Sequence, residues 1–124
     1  MSTEAFMYAP IRVIPRVERG EFINAGVIVY SKRHRYLGAK IDLDESRLRA
    51  LAPDVDMDAV RSALAAFEKA CTGGQLAERP IGERFRWLTA PRSAMVQPGP
   101  VHSGITGDPA ADLDRLFTRL VATG

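Results

Sequence analysis

The sequence predicts a single α+β domain: an antiparallel sheet of three to four strands, a meander, covered on one face by two long and one or two short helices. Three observations predict it. Three runs rich in Val, Ile, Tyr and Phe occupy residues 8–43 and are joined by short polar turns; two strongly periodic helical runs follow; and no strand–helix–strand unit repeats, which counts against a Rossmann fold. The 124 residues are 46% apolar and 26% charged, enough to bury one core without help from disulfides or metals. Residues 1–124 read as one domain.

Residues 8–14 form the first strand and residues 22–30 the second, with the charged turn 15–21 between them. Residues 31–35 turn into a third strand over 36–43, and strands joined this closely pair antiparallel. Asp44 caps a short helix whose apolar positions are Leu48 and Leu51 and which Pro53 ends. From a cap at Asp54 or Asp56, Met57, Val60, Leu64, Phe67 and Cys71 recur at the spacing of one buried helical face, and Gly73-Gly74 stops the run. Residues 81–88 have room for one or two helical turns and residues 94–97 for a short strand. The last helix starts at Asp108 with Pro109 in its first turn and carries Leu113, Leu116, Phe117, Leu120 and Val121 on one stripe.

Composition removes several function classes. One Cys and two His, without paired-ligand spacing, fall short of a zinc pattern, so no metal is expected. Cys71 sits on the apolar stripe of a helix, which marks a structural thiol and not a nucleophile. Gly20 and Gly26 open no helix, so neither a phosphate cradle nor a cofactor is expected. Gly20 belongs to a turn, and Gly26 inside a strand marks a bulge or a close backbone approach. The first residues do not read as a secretory leader, and no run reaches the roughly 20 apolar residues of a membrane span. A cytoplasmic protein that does not enter the membrane is expected. The net charge is +2, yet the first third is basic. Lys32, Arg33, His34 and Arg35, with Arg12, Arg16 and Arg19, offer a patch for a phosphate backbone, although a solvated turn accounts for the same cluster.

Residues 86–107 stand apart. They lack a helical period, yet they hold the only Trp, one of the two His and three Pro. Long irregular connections inside a compact domain are functional or disordered, and this composition argues for the first. Arg92 and His102, with Ser93, Gln97, Ser103 and Thr106, supply a cation, an imidazole and several hydroxyl or amide groups suited to an anion or phosphate ester. A serine nucleophile is poorly supported, because Ser93 and Ser103 lack a strained Gly-x-Ser-x-Gly turn. A plainer role for the same residues is structural, with Arg92 and His102 bonded to loop carbonyls and Trp87 anchoring the loop.

Two ordered segments resemble one family. Arg-Gly-Glu-Phe-Ile-Asn-Ala-Gly-Val-Ile-Val at 19–29 is similar to its Arg-Gly-Glu-x-x-Asn-x-Gly-Val signature. Phe-Arg-Trp-Leu-Thr-Ala-Pro-Arg-Ser at 85–93 begins a longer match. It continues through Gln97-Pro98, Pro100-Val101-His102-Ser103-Gly104 and Asp108-Pro109 into Leu113-Asp114-Arg115-Leu116-Phe117. The family is a bacterial group of short proteins, domain-of-unknown-function family 3037, and the resemblance spans nearly the whole chain. It implies no activity and no catalytic residues. It does imply a context, since members are frequently encoded beside proteins resembling HipA-type kinases.

The leading expectation is a non-enzymatic module that binds a protein, with a HipA-like kinase as candidate partner. Its surface would comprise Trp87, Arg92, Ser93, Gln97, His102 and Ser103 with the turn residues Arg19, Glu21 and Asn24. Pro-rich segments lose little entropy on binding, and Trp and Arg are favoured anchors. A second expectation is an enzyme or ligand-binding domain for a phosphorylated or nucleotide substrate, with Arg92 as anion clamp and His102 as acid or base. It requires Arg12 or Arg19, Asn24, Arg92 and His102 to converge on one concave site. Nucleic-acid binding through the basic hairpin ranks third. An exposed edge of the meander would allow a homo-oligomer.

Overall fold

The computed structural model describes residues 3–73, 78–92 and 94–122. Its longest strand, β1 (Glu4–Val13), lies inside a five-stranded antiparallel sheet. On one side β1 pairs with β2 (Ile23–Ser31), which pairs in turn with β3 (Tyr36–Ile41), the meander the sequence predicts. On the other side two short strands share its length. β4 (Val96–Pro98) lies opposite Ile11, Arg12 and Val13, and β5 (His102–Thr106) lies opposite residues 4–8. Between them the Gly99 amide donates to the Pro10 carbonyl at 2.8 Å. Residues 96–106 are therefore one edge strand, interrupted where Pro98 and Pro100 have no N–H to give.

The α+β class and antiparallel sheet agree with expectation, while the strand count rises from three or four to five. The stretch 86–107, irregular as sequence, holds the last turn of a helix and both short strands.

The described residues also form four α-helices: α1 (Glu45–Leu51), α2 (Met57–Thr72), α3 (Ile81–Thr89) and α4 (Pro109–Leu120). Three start as the sequence predicts. The side chains of Asp44, Asp56 and Asp108 accept from the amides of Arg47, Ala59 and Ala111 at 3.1, 3.1 and 3.2 Å, satisfying donors that a helix N-terminus leaves free. Asp54, the other candidate cap, pairs with Arg16 instead. Gly73 ends α2, its amide donating to Lys69 at 2.8 Å; Gly74 lies outside the described residues.

Alternation along the strands divides the core in two. Ala9, Ile11 and Val13 of β1 and Ile28 of β2 face α1, α2 and α3, whereas Phe6 of β1 and Val27 and Val29 of β2 face α4. In β2 the pairing shifts by one residue, so that Ile11 faces Gly26 but Arg12 faces Asn24. This bulge turns Ile23 and Ala25 toward the larger core. Gly26 is needed there, because a Cβ would stand 2.8 Å from the Lys40 carbonyl oxygen. Helices thus cover both faces and not one, as β2 requires: its run Val27-Ile28-Val29 is apolar on both sides and needs cover on both. No helix among the described residues is long and apolar enough to cross a membrane.

Candidate functional site

Trp87 reaches the surface because α3 turns its neighbours inward. Phe85 and Leu88 are buried, which leaves the indole 53% exposed. Pro91 prevents the helix from continuing, and Arg92 folds back on it. The Arg92 guanidinium donates to the carbonyl oxygens of Trp87 and Ala90, at the end of α3 where the helix dipole favours a cation. The same group lies 4.9 Å from the centre of the Trp87 ring and 5.5 Å from that of Phe67, within cation–π range. Arg92 therefore fastens the chain after α3 to both α3 and α2. Beside it runs an apolar groove of about 240 Å³, walled by Trp87, Ala63, Ala66, Ala94 and Val96 with Phe67 in its floor.

A larger groove of about 510 Å³ shares Arg92 with the first and borders Arg12, Gln97, Gly99 and Val101. Arg12 stacks on the Phe22 ring at 4.0 Å. A Cβ at position 99 would stand 2.8 Å from the Cζ and Nε of Arg12, so glycine lets the backbone come this close. The Nε is buried and has no hydrogen-bond partner among the described residues. Gln97, opposite Arg12 across the β1–β4 pairing, donates to the Ala94 carbonyl at 2.6 Å.

His102 and Ser103 lie elsewhere, both exposed on β5. The His102 ring packs against Tyr8, its cross-strand neighbour, with centroids 5.3 Å apart and the rings tilted by 32°. Tyr8 packs on the α4 side of the sheet, while Arg92 lies over Phe67 on the α1–α3 side. The structure therefore does not bring Arg92 and His102 together. Ser93 lies outside the described residues. Arg19 and Glu21 pair with each other at 2.9 Å around Gly20, whose φ of 72° suits glycine; they border neither groove. Asn24 points inward, donating from Nδ2 to the Leu120 carbonyl at 3.1 Å, and so holds the end of α4.

The basic residues divide as well. The Lys32–Arg35 turn sits at the Glu4 end of β1, where His34 Nε2 donates to the Thr106 carbonyl at 3.1 Å. Arg12 sits toward the other end of that strand, about 26 Å from Glu4 at the usual rise per residue, and Arg16 beyond it bonds to Asp54 at 3.3 Å. Cys71 is buried, and burial pushes its thiol from 9.0 up to about 11, which keeps it protonated and unreactive. Among the described residues no three His, Cys, Asp or Glu side chains gather as a metal site would require.

Phe67 and Gly99 are parts of these grooves that sequence reading misses, as is Phe22, which stacks on Arg12 at the edge of one of them. Phe67 belongs to a stripe that reads wholly as core, and Phe22 and Gly99 meet Arg12 only through the sheet register.

Residues 8–121 match the model of a family described as Protein of unknown function (DUF3037). No curated protein and no solved structure matches the chain. The chain belongs to the DUF3037 family.

Proposed function

We propose that this member of the family is a non-enzymatic module that binds a protein partner through the surface around Trp87. One observation carries the reading: an indole 53% exposed, fixed beside the Arg92 guanidinium over an apolar groove of about 240 Å³. Trp and Arg dominate the binding energy of many interfaces, and a side chain already held by its neighbours loses little entropy when a partner covers it. The hydrogen bonds of Arg92 go to the chain's own carbonyls, so a partner need not break them. Ala63 and Ala66 leave room for an apolar side chain between Phe67 and Trp87. Pro91, Pro98 and Pro100 restrict the backbone around the larger groove that shares Arg92.

The partner to test is a HipA-like kinase, on the genomic context that the family resemblance implies. Purified kinase and chain should associate at micromolar concentrations or below. Trp87→Ala should weaken the complex about 30-fold and Arg92→Ala about tenfold, with circular dichroism unchanged and His102→Ala neutral. Equal affinity for the original chain and Trp87→Ala would sink the proposed surface. Absence of any complex at micromolar concentrations would remove this partner.

A further inference from the structure

We propose that the trough between α4 and the β1–β5 edge, on the face opposite Trp87, binds nucleotides, with a base stacked on His102 and Tyr8 and phosphate held by Arg115 and Arg119. α4 packs over β2 and β3. It is tied there by the Lys40–Asp114 pair at 3.3 Å and by Asn24 at its C-terminal end. The other flank of the helix, with Arg115 and Arg119 one turn apart, faces the uncovered half of the sheet across a trough of about 620 Å³.

The floor of the trough is aromatic. Phe6 and Tyr8 line it and stack with centroids 5.7 Å apart, and His102, beside the lining residue Ser103, packs against Tyr8 at 5.3 Å with its ring tilted by 32°. Phe6 is buried and His102 exposed, so this ladder ends on a ring open to solvent. Gly104 keeps the floor low: a Cβ there would stand 2.6 Å from Phe6 Cε1. Arg115 is oriented by Asp112, whose Oδ1 accepts from its Nε and Nη2 at 3.1 and 2.9 Å, leaving Nη1 to point elsewhere. Arg119 lines the trough with Arg115.

An open ring stack beside two cations matches the two parts of a nucleotide. Aromatic platforms flanked by basic side chains hold single strands without reading their sequence. An acidic peptide would engage the arginines and leave the rings idle. Arg12 follows Tyr8 on β1 with the same strand parity, so its Cα lies about 13 Å beyond Tyr8; its guanidinium stacks on Phe22 and borders the separate groove that also holds Arg92. That spacing favours successive nucleotides of a strand over a free one.

The test is fluorescence anisotropy with a short labelled oligothymidylate strand, thymidine monophosphate as competitor and polyglutamate of equal length as control. The strand should bind, His102→Ala should weaken it about tenfold, and Arg115→Gln with Arg119→Gln should reduce the salt slope by about 1.4. Trp87→Ala, and Lys32→Gln with Arg33→Gln, should change nothing. Monophosphate that competes as well as the strand, per nucleotide, identifies a free nucleotide as the ligand; a strong preference for the strand identifies a single-stranded nucleic acid. The proposal is overturned if neither binds, if His102→Ala is neutral, or if polyglutamate binds as tightly.

Discussion

The two faces of one sheet are closed to different degrees. On the α1–α3 side Ile11, Val13, Leu48, Val60 and Leu88 are sealed from solvent, and three helices share the cover. On the other side a single helix covers β2 and β3, the smaller core of Phe6, Val27, Val29, Leu113 and Leu116 lies beneath it, and the rest of the sheet stays open. A closed face has only its rim to offer a ligand, which is where Trp87 stands. An open face offers its floor, and here the floor carries the Phe6–Tyr8 stack, with the exposed His102 ring against Tyr8, beside two arginines.

Core truncation should separate the faces most strongly. Leu88→Ala leaves a void among side chains with no route for solvent and should cost about 4 kcal/mol, whereas Leu116→Ala borders the trough, where neighbours and water can relax, and should cost about 2 kcal/mol. Denaturant midpoints with unchanged slopes would measure both. Equal losses would mean that the α4 face is closed as tightly as the other and that the trough does not persist in solution.

Much of the closed face is legible in the sequence. Met57, Val60, Leu64, Phe67 and Cys71 keep a helical period, and Asp44, Asp56 and Asp108 announce their helices by local hydrogen bonding that needs no tertiary context. β5 is not legible. His-Ser-Gly-Ile-Thr has no apolar alternation, and it is a strand only because the backbone of residues 4–8 offers it partners. The same holds for the sites. Arg92 and His102 are ten positions apart in one segment, but the pairing of β5 with β1 carries His102 to the α4 side while the end of α3 holds Arg92 on the other. The Tyr8–His102 contact depends on strand register, and nothing local in either segment encodes it.

Titration should also distinguish the faces. The Cys71 thiol is raised from 9.0 to about 11, chiefly by its burial under α2 on the closed side. In the unfolded chain it ionises first, so above pH 9 the unfolded state binds fewer protons and stability falls with rising pH. The contribution is intact below pH 9 and is lost up to about pH 11. Cys71→Ala should flatten the stability profile in that window, and alkylation of the folded protein at neutral pH should be slow. A profile that Cys71→Ala leaves unchanged would mean that the thiol is not sealed.

The smallest expected effect is the most local. Asp108→Ala and Asp56→Ala each remove an N-cap and should each cost about 1 kcal/mol, but the consequences should differ by face. α2 is gripped by α3 and the sheet, so loss of Asp56 should fray only its first turn. Among the described residues α4 packs chiefly on β2 and β3. Its N-terminus is held by the Asp108 cap and by the Asp108 amide bonded to Thr106 Oγ1 at 3.0 Å. Loss of the Asp108 carboxylate should raise amide exchange along α4 as far as Arg115, and with it loosen the wall of the trough. Hydrogen exchange resolved by residue would check this. If the two variants fray equally short segments, one helix on an open face is anchored as firmly as three on a closed one, and the contrast between the faces is one of area alone.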